Sequence, residues 1–183
     1  RDIESLLYAQ FGLRVDYRSI SVVQLDGPGV SAVPSRLRFV EAAPDPDQCD
    51  TIRVCLQTEG RTFRGRAPVQ ANAADALPVS AVANATLDAL RQAIGNVAQL
   101  TLGDAQSIES GEQQVALVIL QAVTPQGAEC LTGTCVVRDS ALAAAAKATL
   151  DAVNRRLPVW FLQAHNNALA EQQARGGEPV RAG

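Results

Sequence analysis

The most reactive side chains in the chain are four cysteines, Cys49, Cys55, Cys130 and Cys135, and one histidine, His165. The cysteine spacings, C-x5-C and C-x4-C, differ from the C-x2-C knuckle of structural zinc sites. His165 stands apart from them, in the C-terminal stretch. The thiols therefore read as small buried or half-buried side chains, with a disulfide or a metal site as the alternatives. No metal and no other cofactor is expected. Acid–base catalysis needs paired groups in a pocket, and no Ser-His-Asp or Cys-His set stands out. There is also no Gly-rich phosphate loop, so the chain reads as a non-enzyme. Asp45, Asp47 and Asp50 lack the Gly and closing Glu of a calcium loop and read as a plain acidic loop.

Binding chemistry is easier to find. Arg61, Arg64 and Arg66 crowd one expected strand, with Arg36, Arg38 and Arg53 on its neighbours. Alternation puts Arg64 and Arg66 on one face and Arg61 on the other. Arg53, Arg64 and Arg66 form the candidate basic patch. It is either a solvated sheet face or a contact surface for an anion, a nucleic acid or an acidic protein. The net charge of −3 opposes nonspecific nucleic-acid binding by the chain as a whole. Aromatic residues are 4% of the chain, which leaves few platforms for stacked bases. Gly65 and Gly133 each read as a strand end, where glycine allows either close approach of a small ligand or a tight exit. Asp139 could hold a ligand amine or cap a helix. Asn154-Arg155-Arg156 close a helix, where cations favour the dipole or could hold a phosphate or carboxylate.

Hydrophobic residues are 47% of the chain, enough for a buried core, and their low aromatic share makes that core aliphatic. Residues 1–11 have helical spacing, 13–24 alternate as a bulged strand, and DGPG at 26–29 is a turn or linker. Strands follow at 37–42, 51–58 and 62–69, with a polar loop at 44–50 and a turn at 59–61. After a loop at 70–75, a helix runs from about 77 to 94, with Pro78 in its first turn and Gly95 ending it. The order then recurs: strands at 97–109, 114–123 and 130–138, then a helix capped by Asp139 or Ser140 and running to about 157. The strand at 114–123 is apolar enough to be buried on most of its length. Both helices contain the string ATLDA, at 85–89 and at 148–152.

The fold class is therefore α+β. Two tandem βββα units, each a three-stranded antiparallel sheet with one helix, pack face to face in a pseudo-twofold arrangement with the helices inside. The duplicated domain spans 36–157, an N-terminal helix–strand element takes 1–28, and a C-terminal helix with a flexible tail takes 158–183. Trp160 and Phe161 make that last helix unusually sticky, a candidate surface for self-association and, in one reading, for a self-assembling scaffold. No stretch approaches the length of a membrane span, so no membrane partner is expected. A chain that starts at Arg1 and contains no Met reads as a piece of something longer. A cytoplasmic location is expected.

The second unit also carries a resemblance. A Gly after a strand (Gly133), an Asp opening the helix (Asp139), the run Ala145-Ala146-Lys147-Ala148 and then Asn154-Arg155 resemble the end of the C-terminal regulatory domain of 2-isopropylmalate synthase and citramalate synthase. Upstream, GRAPV at 65–69 is similar to that family's Gly-x-Gly-Pro-Val before its first helix, and 97–123 fits its middle strands. The resemblance covers about 36–157. It implies two βββα units, a homodimer, and a small amino-acid-like or ketoacid effector bound at an inter-unit or dimer cleft. The implied ligand-binding residues are Gly65, Arg66, Ala67, Pro68, Gly133, Asp139 and Ser140. The chain departs from the family at Ala67, at Gln70 and at Gly111-Glu112-Gln113-Gln114, near the loops that shape the effector pocket. The resulting expectation is a non-catalytic regulatory or oligomerisation domain, with a nucleic-acid- or ribosome-associated module as the alternative.

Overall fold

The computed structural model describes residues 36–58, 60–69 and 78–176. All of them lie in the compact unit Ala32–Gly183. The expected helix and strand before residue 30, the loop at 70–75 and the end of the tail fall outside the described residues.

Two antiparallel three-stranded sheets form the frame. The first holds β1 (Arg38–Asp45), β2 (Gln48–Thr58) and β3 (Arg61–Pro68) in that order, and helix α1 (Val79–Ile94) follows. The second holds β4 (Gln99–Ser110), β5 (Gln113–Thr124) and β6 (Gly127–Val136), and α2 (Ala141–Val153) follows. A final helix, α3, spans Leu157–Gly176. The two expected βββα units are present, in the expected order.

Alternation explains each sheet. In β5 the side chains of Ala116, Val118, Leu120 and Ala122 are buried, whereas Val115, Leu117 and Ile119 on the other face are half-covered and Val123 is exposed. The strand is thus buried on one face, not along most of its length. In β2, Ile52, Val54 and Leu56 turn inward beneath α1. That helix exposes only a narrow stripe, Ser80, Asn84, Arg91 and Gln92, at helical spacing. Its other faces are buried because it touches its own sheet, α2 and strand β4 of the other unit. Conversely, α2 touches β1 of the first unit, where Lys147 Nζ lies 5.6 Å from the centre of the Phe39 ring. The exchange is reciprocal, and it puts both helices between the sheets. Their many alanines let main chains approach closely.

Two boundaries differ from the sequence reading, and one open choice is decided. The polar loop expected at 44–50 is a two-residue turn between β1 and β2, with Asp47 N donating to Asp45 Oδ1 at 2.9 Å. Pro44 fits inside β1 because β1 is an edge strand, where a missing N–H costs no ladder bond. The second helix stops at Val153 rather than near 157. Pro158 has no N–H to donate back to Asn154, so a continuous helix would lose a ladder bond there; the chain turns at 154–156 and restarts as α3 with Pro158 in its first turn, where no N–H is needed. Ser140, not Asp139, caps α2, its Oγ accepting from Ala143 N at 3.3 Å. No helix among the described residues is long and apolar enough to cross a membrane.

Candidate functional site

Gly65 and Gly133 lie within β3 and β6, not at their ends. A Cβ added to Gly65 would stand 1.9 Å from the carbonyl oxygen of Ala85 and 2.5 Å from the nitrogen of Ala89. A Cβ added to Gly133 would stand 2.1 Å from the carbonyl oxygen of Ala148 and 2.3 Å from the nitrogen of Ala152. Each helix therefore lies with its main chain directly on a strand, and only glycine leaves room. The space that a ligand would have entered is filled by helix backbone.

The same crossing carries a second shared contact. Asp88 Oδ2 accepts from Arg66 N at 3.1 Å, and Asp151 Oδ2 accepts from Thr134 N at 3.1 Å. Both amides point off the free edge of a sheet, where they would lack a strand partner. Inside each helix the adjacent threonine donates to the carbonyl four residues back, Thr86 to Val82 at 2.7 Å and Thr149 to Ala145 at 2.9 Å.

The expected ligand-binding residues consequently do not converge on one site. Gly65 and Ala67 are buried under α1, Arg66 is on the opposite face, and Pro68 ends β3 exposed. Gly133 is buried under α2, Ser140 caps that helix, and Asp139 is exposed. Trp160 and Phe161, expected on a self-association surface, are 3% and 6% exposed. They occupy the first turns of α3, which rest on the body of the domain, while 165–170 further along are exposed. The four thiols are free. Cys55 is buried and Cys135 half-buried as expected, but Cys49 and Cys130 are exposed.

The basic patch does assemble. Arg53 and Arg66 face each other across β2 and β3, Arg64 is opposite Cys55, and Arg38 is opposite Gln57 on the same outer face. The face supplies its own counter-charges. Glu41 Oε1 lies 3.7 Å from Arg53, and Asp47 Oδ2 lies 3.9 Å from Arg66. The buried Asp45 carboxylate comes within 2.7 Å of Arg66 Nε without hydrogen-bond alignment, a Coulomb contact only. The field that a polyanion would meet is weakened accordingly.

The outer face of the second sheet has the opposite character. Val115 pairs with Ile108 on β4 and Val136 on β6, Leu117 and Ile119 continue the column along β5, and Val123 follows beyond Gln121. Ile108, Val123 and Val136 are 39%, 47% and 37% exposed.

A groove of about 450 Å³ opens where the β5–β6 turn meets the start of α3. Glu129, Gly127 and Ala128 form one wall, and Arg156, Val159 and Trp160 form the other. An ion pair between Arg156 and Glu129 bridges them. Sequence reading marked Arg156 as a possible anion-binding residue but missed Glu129, since nothing local in a turn-and-strand segment points to a partner 27 residues away.

No protein-family model matches the chain, and no curated protein matches it.

Proposed function

We propose that this chain is a non-catalytic regulatory and assembly domain that acts as a homodimer, two copies meeting through the outer face of the second sheet. The observation that carries this reading is the apolar column Ile108, Val115, Leu117, Ile119, Val123 and Val136. Single exposed hydrophobic residues are ordinary. Six on one face of one sheet form a patch of the kind that marks an interaction surface. A twofold axis through such a face sets like strand against like strand and covers the column on both copies. The duplicated βββα architecture supports the resemblance to the regulatory domain of the isopropylmalate synthases, from which the regulatory part of the proposal comes.

Sedimentation equilibrium at several concentrations tests the dimer. The expected result is a dimer for the native chain and a folded monomer for Ile119→Arg, with Leu120→Arg, on the buried face, failing to fold. A native monomer, or an Ile119→Arg chain that still dimerises, would overturn it.

The second reading, nucleic-acid contact, rests on Arg38, Arg53, Arg64 and Arg66 sharing a face. It requires binding that weakens steeply with salt and with Arg64→Glu and Arg66→Glu together. The carboxylates of Glu41, Asp45 and Asp47 beside those arginines make it the weaker of the two.

A further inference from the structure

We infer that the free edge of β6, over residues 128–132, is a docking site for an extended peptide of a partner protein, added antiparallel as a fourth strand of the second sheet. The inference does not rest on the dimer, whose proposed surface is the face of that sheet and not its edge.

The two sheets have four edge strands, and three of them are blocked. On β3, Asp88 accepts from Arg66 N, Gln92 Nε2 donates to Arg64 O at 2.8 Å, and Pro68 has no N–H to offer. On β4, Arg91 donates to Leu100 O at 2.6 Å, Ser80 donates to Ala105 O at 3.4 Å, and Asp104 accepts from Ala105 N at 2.8 Å. A register break between Leu102 and Asp104 interrupts the same strand. On β1, a break between Phe39 and Glu41 and the proline Pro44 do likewise. Bulges, prolines and covering side chains are the devices by which sheets avoid unwanted pairing.

β6 lacks these devices over 128–132. Its pairing with β5 runs without a break from Gly127 to Val136, and it contains no proline. The register decides which of its groups are free. Val137 N donates to Gln114 O at 2.7 Å, so the odd-numbered residues of β6 bond to β5 and the even-numbered ones point off the edge. Thr134 is one of these, and Asp151 takes its amide. Four residues after Asp88, Gln92 covers a second edge group of β3; four residues after Asp151 stands Arg155, exposed and without such a bond among the described residues. No hydrogen bond among the described residues reaches the main chain of Ala128, Cys130 or Thr132. Their donors and acceptors alternate at strand spacing, which is complementary to an extended main chain.

The surroundings of the open stretch select a side chain. A residue set opposite Glu129 turns its own N–H away from β6 and its side chain towards the groove. There Val159 and Trp160 form an apolar wall, and Glu129 is already paired with Arg156. A charged side chain at that position would meet a like charge of the pair, so charge complementarity favours an uncharged, apolar one. Its neighbours on the peptide lie on the other face, beside Ala128, Cys130 and Thr132, where small polar residues fit.

The probe is the peptide acetyl-Ser-Thr-Thr-Leu-Thr-Thr-Ser-amide, titrated into the full chain. Binding is followed by the emission of Trp160, the only tryptophan, and by hydrogen exchange. The expected result is a saturable emission change, with exchange slowed at the Ala128, Cys130 and Thr132 amides. Methylating the main-chain nitrogen of either threonine next to the leucine removes a bond to β6 and should weaken binding by roughly tenfold or more. Methylating the leucine nitrogen, which faces away, should change it by less than about twofold. Aspartate in place of leucine should weaken binding by roughly tenfold. Cys130→Pro removes one edge amide at a position where proline is tolerated, and should abolish the response. Cys130→Ser should keep it, and both variants should keep the native far-UV circular dichroism. No saturable binding, equal effects of the two kinds of methylation, or full binding by Cys130→Pro overturns the inference. So does self-association that Cys130→Pro abolishes while no peptide binds, a result that assigns the edge to a second copy.

Discussion

Replacing Gly133 with alanine tests the helix-on-strand crossing with a single methyl group. The new Cβ would stand 2.1 Å from Ala148 O, 2.3 Å from Ala152 N and 2.9 Å from Ala152 Cα. Non-bonded atoms settle at about 3.5–4.0 Å, so α2 must retreat by roughly 1–1.5 Å. Overpacking of this kind costs about 1–3 kcal/mol where side chains can yield. Here the obstructing atoms are main chain, one helical turn apart, and no rotamer change relieves them, which puts the expected loss at the top of that range. Retreat also draws Asp151 away from Thr134 N, adding about 1 kcal/mol. The total is about 3–4 kcal/mol, a large part of the roughly 5–15 kcal/mol that holds a domain folded. Urea unfolding followed by Trp160 emission and circular dichroism measures it. Gly111→Ala is the control: its φ is +62° and no atom lies within 4 Å of the added Cβ, so only left-handed strain of about 1–2 kcal/mol applies. Gly65→Ala should resemble Gly133→Ala. If Gly133→Ala loses less than about 1 kcal/mol, or no more than Gly111→Ala, the crossing is not as tight as the distances require and the reasoning fails.

Two further predictions concern the same frame. Asp88→Ala and Asp151→Ala should each lower stability by about 1 kcal/mol and speed hydrogen exchange at the Arg66 and Thr134 amides respectively; unchanged exchange at those amides would show that the carboxylates do not protect the strand edges. With a thiol reagent, Cys49 and Cys130 should react at once, Cys135 more slowly, and Cys55, covered by its neighbours on the outer face of the first sheet, slowest of the four. Fast modification of Cys55 in the folded chain would contradict its placement on the covered part of β2.

Most of the frame was legible because its signals are local. Alternation in β2 and β5 and the stripe along α1 each depend on residues a few positions apart, and they place the elements within a few residues. The failures share a cause. Pro44 and Asp45 look like loop residues, and only the position of β1 at a sheet edge makes them strand. Trp160 and Phe161 look adhesive from their type, and only the return of α3 onto the domain buries them. The groove was half legible: Arg156 stood out at a helix end, but its partner Glu129 and the apolar wall meet it through tertiary structure alone.

The repeated string ATLDA shows where duplication leaves its clearest trace. Ala85 and Ala148 lie where a strand glycine meets the helix main chain, and Ala89 and Ala152 do so one turn later. Thr86 and Thr149 bury a hydroxyl by returning it to their own helix. Asp88 and Asp151 close the strand edge. Three of the five positions, the two alanines and the aspartate, thus meet a requirement imposed by the crossing, and in each unit a larger or uncharged residue there would collide or leave an amide unpaired. The middle position is freer: Leu87 is fully buried, whereas Leu150 is only half-buried. Identity between the units therefore measures geometric constraint. The face on which function is proposed, the apolar column, belongs to the second unit alone. There the first unit has Arg38, Arg53, Arg64 and Arg66 in place of the column. Once the crossing secures both halves of the fold, the outer surfaces are free to differ, and it is in that difference that binding specificity can reside.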